Sequence, residues 1–251
     1  MIAQQYNLDV IANNLANVNT TGFKQQRAEF QDLMYQTFRS SGAATGANSR
    51  QPVTMQVGLG TQFTSTGTNF LQGSLQTTGG TFDLAIQGDG FFRVLRPDGS
   101  VAYTRDGSFK KDANGVLVTA DGYQLDPNIT IPAEATNVTI GPGGQVNVTM
   151  PDGQIQEAGE GIRITTFANP SGLERIGQNL YVRGAGSGDP VDGTPGEQGR
   201  GQIRQGVLEG SNVQVVEEMV RMITAQRAYE INSKAIQTSD DMLGVVNQLK
   251  R

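Results

Sequence analysis

The sequence predicts an α+β protein in which long N- and C-terminal helices pair as a coiled coil and carry an inserted all-β domain. Apolar residues recur at helical spacing near both ends of the 251-residue chain. Short β-forming runs alternate with glycine-containing turns between those ends. The terminal regions are close to neutral, so the middle of the chain carries the acidic excess behind the net charge of −5. Neutral ends joined by an acidic middle suit ends that pack together while the middle stays in water.

The N-terminal helix is predicted from one apolar stripe. The stripe has the spacing of a coiled-coil helix and extends back to the first two residues. Gly22 is predicted as the left-handed residue of a Schellman turn, with Phe23 packing on Val18. A further helical turn or two is predicted within 27–38. The members of the stripe are Leu8, Ile11, Leu15 and Val18.

Asparagines are concentrated beside this stripe, at Asn13, Asn14 and Asn17. Asparagine is a mediocre helix former because its amide competes for backbone groups. Asn13 and Asn17 are four residues apart and therefore share a helix face. That face is either exposed to solvent or part of an interface where amides hydrogen-bond between helices and fix their register. We favour the interface.

The middle of the chain divides into a linker and a β region. Residues 40–60 are rich in Gly, Ala, Ser and Thr and are predicted either as a flexible loop or, at 52–60, as a polar β-extension. An all-β domain is predicted over about 75–200 because turn dipeptides such as Asp98-Gly99 separate short β-rich runs. Residues 184–202 are predicted as a long loop without strands. The β-rich runs are 91–95, 101–104, 116–119, 138–140, 146–149, 162–167 and 180–182.

A long C-terminal helix is predicted over 211–249, with Ser211 as a possible N-cap and acidic residues in its early turns. At about 1.5 Å per residue it would be roughly 55 Å long. A helix of that length usually has a helical partner, and the other strong stripe lies at the N-terminus, so the two ends are inferred to pair. The predicted interface residues of this helix are Val216, Val220, Ile223, Ile231, Met242, Val245 and Leu249.

Three regions are therefore predicted. A discontinuous helical core domain comprises 1–39 and 211–251. An extended linker or β segment comprises 40–75. A β-rich outer domain comprises 76–210.

The composition argues against catalysis. The chain has no Cys and no His, which excludes disulfides and removes the commonest general base and metal ligand. Seven aspartates of the middle region could be read as catalytic pairs or a calcium site, but most of them precede glycine, where the side chain caps its own turn; they are Asp83, Asp89, Asp98, Asp106, Asp112, Asp121 and Asp152. We therefore predict a non-enzyme with no catalytic, cofactor-binding or metal-binding residue, and no cofactor. A basic cluster in the middle region is either a solvated face or an anion site; it comprises Arg93, Arg96, Arg105, Lys110 and Lys111.

Charge and hydropathy also restrict the partners. The acidic balance makes nucleic acid a poor partner. The sequence has no run of about 18 apolar residues that would insert in a membrane, and the N-terminus has no Sec-type signal pattern.

Two long segments resemble the bacterial flagellar rod and hook axial proteins. LDVIANNLANVNTTGFK, at 8–24, resembles their N-terminal signature. SNVQVVEEMVRMITAQRAYEINSKAIQTSDDMLGVVNQL, at 211–249, resembles their C-terminal helix. The middle resembles the distal rod members of the family, so the resemblance covers nearly the whole chain. The segments that carry this second resemblance are 84–94, 102–109, 114–125 and 176–182.

The resemblance implies a structural role. The terminal helices would form a coiled-coil core lining a hollow tube, the β region an outer layer, and 40–60 a segment that stiffens the polymer. The implied function is a subunit of the flagellar distal rod, self-assembling into a rigid hollow drive shaft that transmits torque from motor to hook. The alternatives are a proximal rod or hook subunit and, more remotely, a β-domain adhesin or glycan-active enzyme.

The resemblance also implies partners and a location. The partners are further copies of the chain in a helical homopolymer, other rod proteins, the hook protein, the P- and L-ring proteins and the type III export apparatus. The location is the flagellar basal body, from periplasm to outer membrane, reached without a cleaved signal peptide. Family members usually have a few more helical turns before the position of Met1, so either the start of this chain is mis-assigned or the chain is trimmed. The terminal helices are expected to be disordered in the monomer because their stripes lack a partner.

Overall fold

The computed structural model describes residues 2–39, 41 and 53–249. Most of the predicted stiffening segment, residues 40 and 42–52, therefore lies outside the described residues. Two helices, α1 (Ile2–Ala16) and α2 (Val215–Leu249), are described, with a 3-10 turn at Pro170–Gly172.

Twenty strands are described and are numbered β1 to β20 in chain order. They are Gln26–Asp32, Tyr35–Arg39, Met55–Gly58, Thr61–Thr68, Leu75–Thr77, Leu84–Gln87, Phe91–Leu95, Val101–Thr104, Lys110–Lys111, Leu117–Val118, Gln124–Asp126, Asn137–Ile140, Val146–Thr149, Ile155–Glu157, Ile164–Thr166, Glu174–Gly177, Leu180–Val182, Val191–Gly193, Gln202–Gln205 and Val207–Glu209.

The chain divides into two compact units. Unit 1 comprises 1–13, 26–67 and 216–251, and unit 2 comprises 14–25 and 68–215. The division into three regions at residues 39, 75 and 210 stays a prediction.

Unit 2 builds a hydrophobic core between antiparallel sheets. Its largest sheet has nine strands, in the order β16-β17-β8-β7-β11-β10-β9, with β15 joining β7 to β18. In β7, Phe92 and Val94 are buried in the main core on one face, whereas on the other face Phe91 is buried in a second, aromatic cluster and Arg93 is half-buried. A three-stranded sheet, β12-β13-β14, and the pairs β6–β19 and β5–β20 complete the unit.

Unit 1 has far less buried apolar surface. It contains most of α1, α2 from Val216 onward, and the two-stranded sheets β1–β4 and β2–β3. Every residue of β2 and β3 is exposed, and a two-stranded sheet is only marginally stable by itself in water. Among the described residues of this unit, the buried apolar side chains are Ile11 and Ala225.

The predicted fold class is wrong. The part of the chain that the structure describes is mainly β-rich, and it contains no pair of long helices forming a coiled coil around an inserted β domain. The N-terminal helix is short because residues 17–21, NVNTT, favour turns over helix, and α1 ends at Ala16 after 15 residues. The long C-terminal helix is confirmed with 35 residues. It begins at Val215, and the Ser211 hydroxyl instead accepts a hydrogen bond from the Val213 amide before the helix starts.

Two local predictions also fail. Residues 27–38 are not helical, because β1 pairs with β4 and β2 pairs with β3, and these long-range ladders override a weak helical pattern. The region 184–202 does contain a strand, β18, which pairs with β15. The structure confirms strands within all seven predicted β-rich runs.

Candidate assembly surface and the junction of the chain ends

The apolar side chains of α2 face solvent along much of its length. Val216, Ile231 and Met242 are 75%, 68% and 70% exposed. Contiguous exposed apolar surface of this kind marks an interaction site in a soluble protein. Six of the seven predicted α2 interface residues are exposed, and the side chain of Leu249 lies outside what is described. The six are Val216, Val220, Ile223, Ile231, Met242 and Val245.

The predicted interface residues of α1 do not share one exposed face. Ile11 and Asn14 are buried and Asn13 is exposed. Asn17 is half-buried and its side-chain oxygen Oδ1 accepts a hydrogen bond from the Thr20 hydroxyl at 3.2 Å, so this side chain stabilises the turn after the helix. The other three members of the stripe are half-buried; they are Leu8, Leu15 and Val18.

The sheets of unit 1 add further exposed apolar groups, which were not predicted from the sequence. The Tyr6 ring stacks on Phe63 of β4 at 5.0 Å, and Phe30 of β1 meets Phe63 edge-on at 6.1 Å. On β2, Tyr35 and Phe38 are each 57% exposed. The apolar residues Phe30, Leu33, Met34 and Phe38 follow helical spacing, so the local pattern carried no clear signal for these strands.

The second candidate region lies within unit 2, where the end of the N-terminal signature meets the segment that precedes α2. We call this contact of 21–25 with 209–212 the end junction. The Gly22 amide donates a hydrogen bond to the Glu209 carbonyl oxygen at 2.8 Å, and the Asn212 amide donates to the Phe23 carbonyl oxygen at 3.4 Å. The segment that follows the N-terminal helix and the segment that precedes the C-terminal helix therefore do meet, but as extended segments and not as paired helices.

Gly22 has the positive φ that the sequence predicted, +67°, but a different role. A Schellman motif requires its amide to bond back to the helix, whereas this amide bonds to Glu209. A Cβ atom at Gly22 would lie 2.6 Å from the Asp106 backbone nitrogen. Glycine is required here because the backbone approaches another segment closely and adopts a left-handed conformation.

A buried charge cluster lies at the centre of the end junction. Lys24 and Glu209 are fully buried and Arg105 is 3% exposed. The Lys24 ammonium donates to Glu209 Oε1 at 2.6 Å, and Arg105 Nη1 donates to Glu209 Oε2 at 3.3 Å. Glu209 Oε1 also accepts the Gly73 amide at 2.8 Å. One carboxylate therefore connects three segments of the chain that are far apart in sequence.

Burial dominates the electrostatics of this cluster. It lowers the pKa of the Lys24 ammonium from its usual 10.5, and the adjacent Glu209 carboxylate opposes that shift without reversing it. The cluster has two cations and one carboxylate, so backbone carbonyl groups complete it. Lys24 donates to the Leu71 carbonyl oxygen and Arg105 Nη2 to the Gly88 carbonyl oxygen, each at 2.8 Å.

Uncharged and cationic side chains of unit 2 hold the backbone of 21–25 from other directions. The Gln25 amide donates to Asn212 Oδ1 at 2.7 Å. Asn179 Nδ2 donates to the Thr21 carbonyl oxygen at 3.2 Å. Arg175 Nη2 donates to the Lys24 carbonyl oxygen at 2.6 Å. The segment is thus fixed through its backbone as well as through the Lys24 side chain.

The structure separates the basic cluster that the sequence grouped. Arg105 is buried in the end junction, whereas Lys110 and Lys111 are exposed on β9. Arg93 forms ion pairs with Asp126 and Asp192. Neither of the two predicted interpretations, a common solvated face or an anion site, describes this arrangement. Sequence periodicity could not have found Lys24 or Arg105, because their partner is more than 100 positions away.

The acidic turn residues behave as predicted where their contacts are described. Asp98 accepts hydrogen bonds from the Ser100 amide and hydroxyl, and these bonds lower the pKa of its carboxyl group. Asp106 accepts from the Ser108 amide at 3.1 Å. Across residues 2–39, 41 and 53–249 there is no group of three or more potential metal ligands. No helix in those ranges is long and apolar enough to cross a membrane.

Family models match the two ends and the middle of the chain. The model described as flagella basal body rod protein matches 1–24, and the model described as flagellar basal body rod FlgEFG protein C-terminal matches 204–249. The flagellar hook protein FlgE/F/G D1 domain matches 85–148. The matched terminal segments thus include Lys24 and Glu209.

Full-length relatives agree with these matches. The flagellar basal-body rod protein FlgG of Borreliella burgdorferi is 55% identical over 254 residues, which cover 100% of this chain and 96% of the relative. FlgG of Bacillus subtilis is 45% identical and covers 98% of this chain and 94% of the relative. A match to the crystal structure of the Helicobacter pylori flagellar hook protein FlgE2 covers 74% of this chain and 43% of the hook protein chain, at 15% identity. Its TM-score of 0.25 is too low to support an argument.

The chain belongs to the flagellar basal-body rod protein family, a class of structural proteins of the bacterial flagellum.

Proposed function

We propose that the chain is a structural subunit of the flagellar distal rod that self-assembles into a rigid hollow drive shaft and transmits torque from motor to hook. The observation that carries this proposal is the exposed apolar surface of α2 on a chain of this family. Several exposed Val, Ile, Leu and Met side chains on one long helix are unfavourable in water. Their burial between subunits would supply the driving force for assembly.

The interface would be built from both terminal helices. On α2 its members are the six exposed residues described above together with Leu249. On α1 we propose the stripe and its asparagines, with Gly22 and Phe23 directing the chain away from the helix. The asparagines would restrict the register between helices, because an unpaired amide buried in a wrong register is costly. The members on α1 are Leu8, Ile11, Asn13, Asn14, Leu15, Asn17 and Val18.

The assembly would be part of the basal body, spanning the periplasm to the outer membrane. Its partners would be further copies of the chain, other rod proteins, the hook protein, the P- and L-ring proteins and the type III export apparatus. A shaft needs no active site, so we propose no enzymatic activity.

Electron microscopy of the purified chain at rising concentration tests self-assembly. We expect straight filaments from the natural chain and none from a variant with Val220→Ser and Ile231→Ser. The matched control is Gln226→Ser, which changes an exposed polar residue of the same helix and should leave filaments intact. Filaments from the Val220→Ser/Ile231→Ser variant would contradict an α2 interface.

A proximal rod subunit is the second candidate. A Caulobacter vibrioides flagellar basal-body rod protein FlgF is 37% identical over 243 residues, covering 94% of this chain. Replacing 40–60 by a Gly-Ser linker separates the candidates. A distal rod subunit should lose straight filaments, whereas a proximal rod or hook subunit should keep its assembly because it does not need this segment.

A further inference from the structure

We propose that the buried charge cluster of Lys24, Glu209 and Arg105 is a register lock, which fixes the alignment of 21–25 against 209–212 at the end junction. Lys24 is thus a positioning residue for both chain ends. The proposal concerns the single chain and stands or falls independently of the assembly proposed above.

Stability alone does not account for the cluster. Removing charges from water has a cost of several kcal/mol per ion, which ion pairing often only offsets. Apolar side chains of similar volume are frequently as stabilising as a buried ion pair. Three charged groups with exposures of 0%, 0% and 3% therefore indicate a constraint other than stability.

The remaining hydrogen bonds between 21–25 and 209–212 do not specify a register by themselves. They are mostly bonds to backbone groups: the Gly22 amide to Glu209, the Asn212 amide to Phe23, and the Gln25 amide to Asn212 Oδ1. Any residue except proline could donate such bonds. If 21–25 shifted along 209–212, the shifted segment would therefore exchange one set of backbone hydrogen bonds for another. Backbone pairing alone is prone to such slippage, and the one buried apolar side chain of the segment, Phe23, lies against Arg175 without pairing with 209–212.

The charge cluster penalises a shifted segment. A shift by one residue would bring Phe23 or Gln25 to the position of Lys24 and remove the ammonium from Glu209. The carboxylate would keep Arg105 and the Gly73 amide, but Lys24 would be left without the carboxylate it pairs with. Separating a buried charge from its partner is strongly destabilising.

Gly22 reinforces the same alignment. A residue with a side chain at its position would meet the backbone of Arg105 and Asp106 at 2.6–2.7 Å. A shift would place Thr21 or Phe23 there. The left-handed glycine and the charge cluster therefore select the same register from either side of Phe23.

The test compares stability with local opening in the full chain. The main variant replaces the cluster by apolar residues: Lys24→Met, Arg105→Met and Glu209→Leu. Urea unfolding measures the unfolding equilibrium constant, and amide hydrogen exchange by NMR at a concentration below assembly measures local opening. The Gly22 and Gln25 amides report the end junction, and the Ile162 amide, which bonds to Gly144 at 2.7 Å, reports the rest of unit 2.

We expect the triple variant to unfold with an equilibrium constant within tenfold of the natural chain. The Gly22 and Gln25 amides should exchange at least tenfold faster, while the Ile162 amide changes less than threefold. Lys24→Met alone should show the same local pattern. The control Lys110→Met removes an exposed lysine and should change neither quantity.

Two results would overturn the proposal. Unchanged exchange at Gly22 and Gln25 in the triple variant would show that the cluster does not set the register. Failure of the triple variant to fold, or a hundredfold rise in its unfolding constant, would show that the cluster serves stability instead.

Discussion

The two units of the chain treat apolar side chains in opposite ways. In unit 2 the core residues Leu84, Ile86 and Phe92 are completely buried, whereas in unit 1 the apolar residues of α2 and of β2–β3 face solvent. Unit 2 thus satisfies its hydrophobic sequence within one chain. Unit 1 leaves much of its apolar surface exposed in the single chain. The difference separates a unit with its own hydrophobic core from a unit whose exposed apolar surface is proposed above as a subunit interface.

Charged groups follow this division only in part. The ions of the end junction in unit 2 are buried, and each has fixed partners. On α2, Arg221 is 49% exposed and pairs with Glu217 at 3.6 Å and with the buried Glu218 at 3.0 Å. The Arg221–Glu217 pair is exposed on both sides and contributes little to stability, whereas Glu218 is as buried as the ions of the end junction. Substitutions of buried residues should therefore be costly in unit 2, and substitutions of the exposed residues of unit 1 nearly silent for folding.

Truncation of a core residue should give the largest effect. Phe92 is fully buried and packs edge-on against Phe109 at 5.2 Å. Phe92→Ala should destabilise unit 2 by about 3–5 kcal/mol because the side chain leaves a cavity. Urea unfolding followed by near-ultraviolet circular dichroism measures the change. A loss below 1 kcal/mol would show that this core is not tightly packed.

A substitution at the end junction should be intermediate. Gly22→Ala combines a positive φ with a backbone clash, and we expect a loss of about 1–3 kcal/mol in the free energy of unfolding. The control is Gly99→Ala, which has a similar φ of +79° but open space around its Cβ position. If both variants lose the same amount, the close approach at Gly22 contributes nothing beyond the backbone conformation.

The pH dependence of stability tests the burial of Lys24. Its pKa is lowered by folding, so the unfolded chain binds the proton more tightly, and the stability contributed by this group rises as pH increases toward 10.5. The free energy of unfolding of the natural chain should therefore rise relative to that of Lys24→Met between pH 8 and 10.5. Burial raises the pKa of Tyr103 and Tyr181, which lowers stability above pH 10, but in both proteins equally. A difference that falls with pH would contradict a lowered pKa for Lys24.

The smallest effect on folding should come from α2. Ile231→Ser changes a side chain that is 68% exposed, so the free energy of unfolding should stay within about 0.5 kcal/mol. The same variant should raise the concentration needed for filaments, which light scattering measures. A large loss of stability would show that α2 is already packed in the single chain.

The strands of unit 2 were predictable where local signals agreed. The predicted run 91–95 coincides with β7, and 101–104 coincides with β8, because Asp98-Gly99 and Pro97 favour a tight turn between two β-forming runs. Strands β1 and β2 were missed because their partners β4 and β3 lie tens of residues away. The predicted apolar stripe of α2 was found because a single helix carries the whole pattern.

The sequence by itself determined the long C-terminal helix, most turns of the β region and the family. These properties depend on neighbouring residues, whose spacing is visible along the chain. Only the tertiary structure decided that the ends meet as extended segments, that Gly22 bonds to Glu209, and that Lys24 is buried beside Arg105. Lys24 and Glu209 are 185 positions apart. A lysine that pairs inside a core and one that remains in water look alike in sequence, because burial is a property of the surroundings that folding creates.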